Sequence, residues 1–166
     1  MGQHSEMNCL AIPSNLGKLL NFLDDTCKKA KLADEAAFAT RLAGEEACSN
    51  IINHAYSGVE PGPISIRVSW DDMQVVILIE DNAALFSPSS APAPDLSANL
   101  EDRCEGGLGW HLIYKVMDVV HHEQRAVGGN RLKMIKFLQT IKKFNVGGLA
   151  NGDTDRTVCT RNRNQN

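Results

Sequence analysis

The sequence predicts an α+β fold, a two-layer sandwich in which helices cover one face of a mixed, mainly antiparallel β-sheet. Two early stretches carry apolar residues at every third or fourth position, which is typical of helices that pack by one face. Residues 64–70 then alternate between apolar and polar side chains, and residues 75–79 form a nearly continuous β-branched run, which together predict a hairpin over 64–80. A helix that buries one stripe needs a second layer to cover it, so we expect the helices to pack on the sheet.

The size and composition of the chain indicate one globular domain. The chain has 166 residues, of which 43% are hydrophobic and 22% are charged. The 17 Lys and Arg residues against 20 Asp and Glu give a net charge of −3, which argues against a protein that holds nucleic acid by neutralising phosphates. No apolar run has the ~18–20 residues of a membrane helix, and the N-terminus lacks the features of a secretory signal. We therefore expect a soluble, cytoplasmic protein that binds neither nucleic acid nor membrane.

The first part of the chain is predicted to contain a short strand and two helices. A mixed run over 8–12 is typical of an edge strand. We predict a first helix over 15–31, with Ser14 as its N-cap. A second helix follows over 34–55, with Asp34 as its N-cap. The apolar positions of the second helix that recur at helical spacing are Phe38, Leu42, Ala43, Ala47 and Ile51.

The rest of the chain is predicted to supply four strands and a third helix. The hairpin over 64–80 turns at 71–72, and its apolar second strand, 75–79, is central in the sheet. A helix over 108–120 follows, and two last strands lie on either side of the tight turn at 128–130.

Two segments depart from this regular pattern. Residues 87–105 are rich in proline and small residues, which predicts a functional lid or a disordered insert. The tail over 144–166 has few large apolar residues, and we expect it to be disordered.

A polar stripe on the second helix is the first candidate site. Glu46, Asn50 and His54 are four residues apart, so they lie on one face of a helix. An amide oxygen is a hard ligand that suits Mg²⁺, which takes few protein ligands besides phosphates and water. A carboxylate one turn away, about 6 Å along the axis, can orient or deprotonate a hydroxyl that attacks a phosphate. The alternative is a solvated helix face.

Two further candidate sites follow the hairpin. Asp81 ends the central strand and can accept a hydrogen bond from an exocyclic amine such as N6 of adenine, while Phe86 can pack beneath a ring. The alternative is an ordinary Asp-Asn turn. Gly107 and Gly109 open the third helix, where glycines let the backbone approach a phosphate and the helix N-terminus offers free N–H groups. The alternative there is a helix start preceded by flexible glycines.

The order and spacing of these features resemble the GHKL ATPases, which have the Bergerat nucleotide-binding fold of the histidine kinases. Within that superfamily the chain resembles the small anti-sigma factor serine/threonine-protein kinases of bacterial partner-switching systems. The resemblance covers residues 8–140, which we take as a GHKL-type ATP-binding kinase domain. It is carried by the four blocks EACSNIINHAY (46–56), DNAALFSP (81–88), GGLGWHLI (106–113) and GNRL (129–132).

The resemblance implies a role for each polar residue of the stripe and the hairpin. Asn50 would coordinate a Mg²⁺ ion that bridges the phosphates of ATP, and Glu46 would be the catalytic carboxylate. Asn53 and His54 would line the nucleotide site nearby. Asp81 would bind the amine of adenine.

The resemblance also assigns the remaining residues of the nucleotide site. Gly107, Leu108 and Gly109 would let the lid close over the phosphates, and Phe86 belongs to the adenine side. Ala83 departs from the family pattern, which has a glycine there, and an alanine resists a positive φ. We expect ATP binding to survive this change.

The implied function is transfer of the γ-phosphate of ATP to a serine of a STAS-type anti-anti-sigma protein. The resemblance further implies sequestration of a sigma factor and formation of a homodimer. The alternative is a non-catalytic ATP-sensing module that captures a regulatory protein, which the Ala83 departure would favour. A general α+β domain in which these motifs are coincidental is the third interpretation.

Overall fold

The computed structural model describes residues 2–84 and 108–138, so the predicted segments 87–105 and 144–166 lie outside the described residues. The strands are β1 (Gln3–Leu10), β2 (Pro63–Trp70), β3 (Gln74–Asp81), β4 (Val119–Gln124) and β5 (Asn130–Phe137). The helices are α1 (Pro13–Lys29), α2 (Asp34–Asn50) and α3 (Leu108–Val116), and a π-helical turn, Ile51–Ala55, continues α2 directly.

The five strands form one sheet in the order β1-β2-β3-β5-β4. Each of the four pairings between these described strands is antiparallel. β3 lies in the middle of the sheet, where its β-branched residues are covered by neighbours on both edges. The predicted central strand and the mainly antiparallel sheet are therefore confirmed.

The hydrophobic core lies between the helices and one face of the sheet. Buried and less buried residues alternate along β2 and β3, so every second side chain points to the helices. The large side chains that are fully buried are Leu19 and Leu23 on α1, Ile64, Ile66 and Val68 on β2, Val75, Ile77 and Ile79 on β3, Ile113 on α3, and Met134 on β5. This shared core holds α2, α3 and β3 in one arrangement, and that arrangement positions the site.

β1 is longer than the predicted strand over 8–12. All eight of its residues pair with β2, from Gln3 opposite Trp70 to Leu10 opposite Pro63. It is an edge strand of the described sheet, as predicted. The sequence of β1 is largely polar and has no clear strand pattern. Its length is set by pairing with β2 and not by a hydrophobic pattern of its own.

The helix starts differ from the predicted ones. α1 begins at Pro13 with Ile12 as N-cap, so the prediction of Ser14 as N-cap is wrong. Proline suits the first helical position because the N–H it lacks would have no partner inside the helix. The N-cap of α2 is Ala33, and Asp34 lies in the first turn, where its charge interacts favourably with the helix dipole.

The predictions for two apolar residues are wrong: one of them is exposed and not buried, and the other lies in a strand and not in a helix. Phe38 lies on the outer side of α2 with 63% of its surface exposed, although its spacing matches the buried stripe. α3 ends at Val116, so Val120 belongs to β4 rather than to the predicted helix over 108–120. Helical periodicity alone did not distinguish the end of α3 from the start of an apolar strand.

Both predicted hairpin turns are present. Asp71 Oδ1 accepts hydrogen bonds from the backbone N–H groups of Met73 and Gln74, at 2.8 and 3.0 Å, which closes the β2–β3 turn. Gly128 and Gly129 have φ values of +91° and +84° in the β4–β5 turn, where residues other than glycine are strained. None of the helices within 2–84 and 108–138 has the length and apolar character needed to cross a membrane.

Candidate active site

The candidate site lies where the end of α2, the start of α3 and the ends of β3 and β5 meet. On one side, Gly109 of α3 packs closely on Glu46 and Asn50 of α2. On the other side, Asp81 at the end of β3 pairs with Asn130 at the start of β5. The structure thus brings together Glu46 with Asn50 and Gly109, and it places Asp81 at the end of the central strand, as predicted.

α3 packs closely on α2 at Gly109. A Cβ atom on Gly109 would lie 2.6 Å from Glu46 Oε2 and 3.4 Å from Asn50 Nδ2. The first distance is too short for a carbon–oxygen contact, so a side chain at position 109 would displace the Glu46 carboxylate from its present place. The sequence singled out Gly109 for its approach to phosphates, and the structure adds that it also makes room for Glu46.

The carboxyl group of Glu46 is partly buried, and this changes its acidity. Burial raises the pKa of Glu46 above its ordinary value, and the neighbouring charge of Glu45 adds to the rise. A carboxylate with a raised pKa is a stronger base, which is the property a proton acceptor needs near neutral pH.

The amide of Asn50 is incompletely satisfied. Its Nδ2 atom is buried and has no hydrogen-bond partner among the described residues. A buried polar group without a hydrogen bond costs roughly 1–3 kcal/mol. The position of this amide, one turn from Glu46 and under Gly109, marks it as a group that a ligand can satisfy.

Asn53 and His54 lie beyond the end of α2, in the π-helical turn. Both are exposed, and Asn53 Nδ2 donates a 3.0 Å hydrogen bond to Ser49 Oγ. The wider π-helical turn interrupts the four-residue spacing after Asn50, so His54 does not continue the buried side of the stripe. Sequence spacing did not reveal this turn.

Asp81 is buried, with 5% of its surface exposed. Its Oδ1 atom accepts hydrogen bonds from the backbone N–H of Ala83, at 2.8 Å, and from Asn130 Nδ2, at 2.9 Å. Both bonds use the same oxygen, so within the described residues Oδ2 keeps its accepting capacity. Asn130 is itself buried and also donates to the carbonyl oxygen of Ala84, at 3.2 Å.

Asn130 and Gly129 are functional candidates to which the sequence analysis gave no role in the site, although they lie in the predicted turn and in the block GNRL. A Cβ atom on Gly129 would collide with the carbonyl oxygen of Asp81 and lie 2.8 Å from Asn82 Cα. Glycine therefore lets the β4–β5 turn pack directly against the backbone that follows β3. The pairing of Asp81 with Asn130 is a long-range contact, and no local pattern in the sequence predicts it.

Ala83 is accommodated without backbone strain. Lys31 is the one residue other than glycine with a positive φ within 2–84 and 108–138, so Ala83 does not adopt the conformation that would demand a glycine. Its side chain is buried, with 5% exposed. Phe86 and Gly107 lie outside the described residues, and Leu108 is the exposed first residue of α3.

The start of α3 also contacts the far edge of the sheet. The ring of Trp110, which is buried, meets His122 of β4 edge-on, with 6.5 Å between ring centroids. Burial lowers the pKa of His122, which favours the neutral imidazole. The contact between the two rings joins the first turn of α3 to β4.

Comparisons with known proteins identify a family for this chain. Residues 9–136 match the family described as histidine kinase-like ATPase domain. Among solved structures, the mycobacterial sensor histidine kinase MprB is similar, with 12% identity and a TM-score of 0.46 over 81% of this chain and 97% of that one.

Curated relatives are more similar in sequence. The serine-protein kinase RsbW of Bacillus pumilus is 30% identical over 139 residues, which cover 80% of this chain and 85% of RsbW. RsbW of Halalkalibacterium halodurans is 32% identical over 120 residues, which cover 70% of this chain and 72% of that protein. The serine/threonine-protein kinase BtrW of Bordetella bronchiseptica is 28% identical over 115 residues, which cover 69% and 80%.

A five-stranded antiparallel sheet with helices on one face, and a carboxylate–amide pair beneath a glycine-started helix, are the features of a nucleotide-binding domain of the GHKL class. The chain belongs to the histidine kinase-like ATPase domain family and, within it, to the RsbW-type serine-protein kinases. The family and the fold class that the sequence predicted are confirmed.

Proposed function

We propose that the protein is an ATP- and Mg²⁺-dependent kinase that phosphorylates a serine of a STAS-type anti-anti-sigma protein. The observation that carries this proposal is the group formed by Glu46, Asn50 and Gly109. A partly buried carboxylate and an amide whose Nδ2 atom has no partner lie one turn apart, and Gly109 packs closely against both of them. A phosphate-transfer site needs this combination of a base and a polar anchor.

Adenine recognition is assigned to Asp81. With Oδ1 occupied by Ala83 and Asn130, Oδ2 is the oxygen that would accept a hydrogen bond from the adenine amine. A buried carboxylate that is otherwise satisfied discriminates strongly, because a base without the amine leaves its oxygen unpaired. Ala83 and Phe86 would border the base, and Asn53 and His54 would lie nearby.

The residues around Asn50 fit a magnesium nucleotide. No group of three or more His, Cys, Asp or Glu side chains within 2–84 and 108–138 forms a ready-made metal site. Mg²⁺ suits such a place, because it is commonly held by one or two protein oxygens together with phosphates and water. We assign Asn50 Oδ1 as the protein ligand, and Gly107, Leu108 and Gly109 as the backbone near the phosphates. When bound, the ion neutralises phosphate charge and orients the γ-phosphate.

Glu46 is assigned as the general base. Its carboxylate would accept the proton of the serine hydroxyl as the serine oxygen bonds to the γ-phosphorus, while the bond from that phosphorus to the β–γ bridging oxygen breaks and ADP leaves. The raised pKa of Glu46 supports this role, because it makes the carboxylate a better proton acceptor.

The proposed partners are based on the family to which the chain belongs and not on the geometry of the site. The relatives named as serine-protein kinases support transfer to a serine, and the sequence blocks support a STAS protein as acceptor and a sigma factor as second partner. The same proposal includes a homodimer, a cytoplasmic setting and a kinase domain over 8–140. The alternative of a non-catalytic ATP-sensing module is not favoured, because the backbone of Ala83 removes the argument on which it depended.

The experiment that tests the proposal is phosphate transfer from labelled Mg·ATP to a STAS protein encoded beside this chain. We expect Glu46→Gln to abolish transfer while ATP binding, followed by calorimetry, is retained. Glu35→Gln is the matched control, since it removes the same charge from an exposed position in the first turn of α2 and should leave transfer near the wild-type rate. Transfer by Glu46→Gln at the wild-type rate would contradict the assigned base.

A further inference from the structure

We propose that the hydroxyl group of Tyr56 is a positioning group for adenine recognition. It ties the turn that follows Asp81 to the end of the helix that carries Glu46 and Asn50. The proposal rests on the function proposed above and names a residue of that site which the sequence blocks include without a role. Tyr56 is the first residue after the π-helical turn that continues α2.

The hydroxyl of Tyr56 makes two hydrogen bonds in opposite senses. It accepts a hydrogen bond from the backbone N–H of Asn82, at 3.0 Å, and it donates one to the carbonyl oxygen of Pro63, at 3.1 Å. A phenol has one proton to donate, so these two bonds fix the direction of the hydroxyl. The bonded N–H belongs to the residue directly after Asp81.

The ring of Tyr56 is held in place by a second position of the chain. A Cβ atom on Gly62 would lie 2.6 Å from both Cε1 and the hydroxyl oxygen of Tyr56. The ring therefore lies flush against the backbone before β2, and only glycine permits this. Burial raises the pKa of the Tyr56 hydroxyl, and this keeps it protonated and able to donate at neutral pH.

The turn after Asp81 is held from two sides. From the β4–β5 side, Arg125 Nη1 donates to Asn82 Oδ1 at 2.8 Å and to the carbonyl oxygen of Asp81 at 3.3 Å. Asn130 holds the Asp81 carboxylate from the same side. Within the described ranges, Tyr56 supplies the hydrogen bond to this turn that comes from the α2 side.

Tyr56 has its role because its hydrogen bond to the turn comes from the α2 side, whereas those of Arg125 and Asn130 come from the β4–β5 side. The phosphate end of the site is built on α2, and the base end is built on β3. A hydrogen bond from the end of the helix to residue 82 fixes the separation of the two ends, so a base held by Asp81 presents its phosphates to Asn50 and Glu46. Without the hydroxyl, the turn keeps its β4–β5 contacts and loses its alignment with α2.

The test compares ATP with inosine triphosphate, in which an oxo group replaces the adenine amine. Dissociation constants of both nucleotides are measured by calorimetry with Mg²⁺ for the wild type, Tyr56→Phe and Tyr114→Phe. Tyr114 is the matched control, because it is the second of the two tyrosines, is exposed and lies on α3. We expect the wild type and Tyr114→Phe to share the same preference for ATP.

In Tyr56→Phe, we expect ATP to bind about three- to tenfold more weakly, the range for one net hydrogen bond, while inosine triphosphate binding stays unchanged. If Tyr56 had a merely structural role, its substitution would weaken the binding of both nucleotides equally. The ratio of the two constants is therefore the readout, and kcat/KM for phosphate transfer should show the same ratio.

The outcomes separate this inference from the proposed function. A wild-type protein that does not prefer ATP overturns the adenine site at Asp81, and this inference with it. A wild-type preference that persists undiminished in Tyr56→Phe overturns the role of Tyr56 alone. If Tyr56→Phe does not fold, Gly62→Ala displaces the ring instead, and the same reduction in the ATP preference is expected.

Discussion

Asp81 and Asn130 face each other across the paired strands β3 and β5, and the Asn130 amide donates a 2.9 Å hydrogen bond to Oδ1 of the Asp81 carboxylate. Both side chains are buried. The pair sets which carboxylate oxygen is occupied and which remains for a ligand. The base end of the site thus depends on a residue 49 positions further along the chain.

Replacing Asn130 with alanine should weaken ATP binding. The substitution removes the donor to Asp81 Oδ1 and lets the carboxylate rotate, so we expect a dissociation constant about tenfold higher, the equivalent of ~1.4 kcal/mol. Calorimetry with Mg·ATP measures the change. Asn8→Ala is the control, because Asn8 is an exposed residue of β1, and it should bind ATP like the wild type. Unchanged binding by Asn130→Ala would contradict the positioning of Asp81 by this amide.

Gly129→Ala should destabilise the fold more than Gly128→Ala. Both glycines have a positive φ, so each substitution brings a backbone cost of roughly 1–2 kcal/mol. A Cβ atom on Gly128 meets nothing within 4 Å, whereas one on Gly129 collides with the Asp81 carbonyl oxygen. Urea denaturation should therefore give a lower free energy of unfolding for Gly129→Ala. Equal values for the two variants would show that the turn moves away from β3 without cost.

Gly109→Ala should impair phosphate transfer with little effect on the fold. The added methyl group would lie 2.6 Å from Glu46 Oε2 and push the carboxylate away. We expect kcat to fall by about tenfold or more, because a small displacement of a catalytic group has large effects on rate. Gly17→Ala on α1 is the control, since its Cβ meets nothing within 4 Å and alanine favours a helix. Wild-type kcat in Gly109→Ala would mean that Glu46 tolerates the shift.

The pH dependence of phosphate transfer should reflect the raised pKa of Glu46. A protonated Glu46 cannot accept the serine proton, so the rate should fall as the pH drops through a value above that of an ordinary glutamate. The pKa is obtained from the low-pH limb of a plot of kcat against pH. A limb at the position of an exposed glutamate would contradict the effect of burial.

The same shift predicts how Glu46→Gln changes stability. The pKa of Glu46 is higher in the folded chain than in the unfolded one, so the ionised form disfavours folding above both pKa values and the penalty vanishes below both. Glu46→Gln should therefore raise the melting temperature at pH 7 relative to the wild type, and the gain should shrink towards pH 4. A gain that grows as the pH falls would have the wrong sign for burial of a carboxylate.

Several elements were predictable because their signals are local. The stripe along α2, the alternation in β2 and the apolar run of β3 each lie within a few residues, so the pattern that defines each element is contained in it. The carboxylate–amide pair of Glu46 and Asn50 was predictable for the same reason, since four residues span one turn of a helix.

Other features were decided by partners far away in the chain. β1 is eight residues long because it pairs with β2 along its whole length, although its own sequence is polar. The wide turn after α2 has no periodic signal, and Phe38 is exposed although its spacing matches the buried stripe. Packing against neighbouring elements overrides local preference at such places.

The sequence by itself determined the kinds of elements, their order and the placing of Glu46 and Asn50 one turn apart on α2. Only the tertiary structure decided which oxygen of Asp81 remains for a ligand, that Gly109 makes room for Glu46, and that Tyr56 joins α2 to the turn after β3. The physical reason is the range of the interactions. Hydrophobic periodicity is a property of residues that are close in the sequence. A hydrogen bond or a close backbone approach between distant segments forms only when the helices and the sheet have packed.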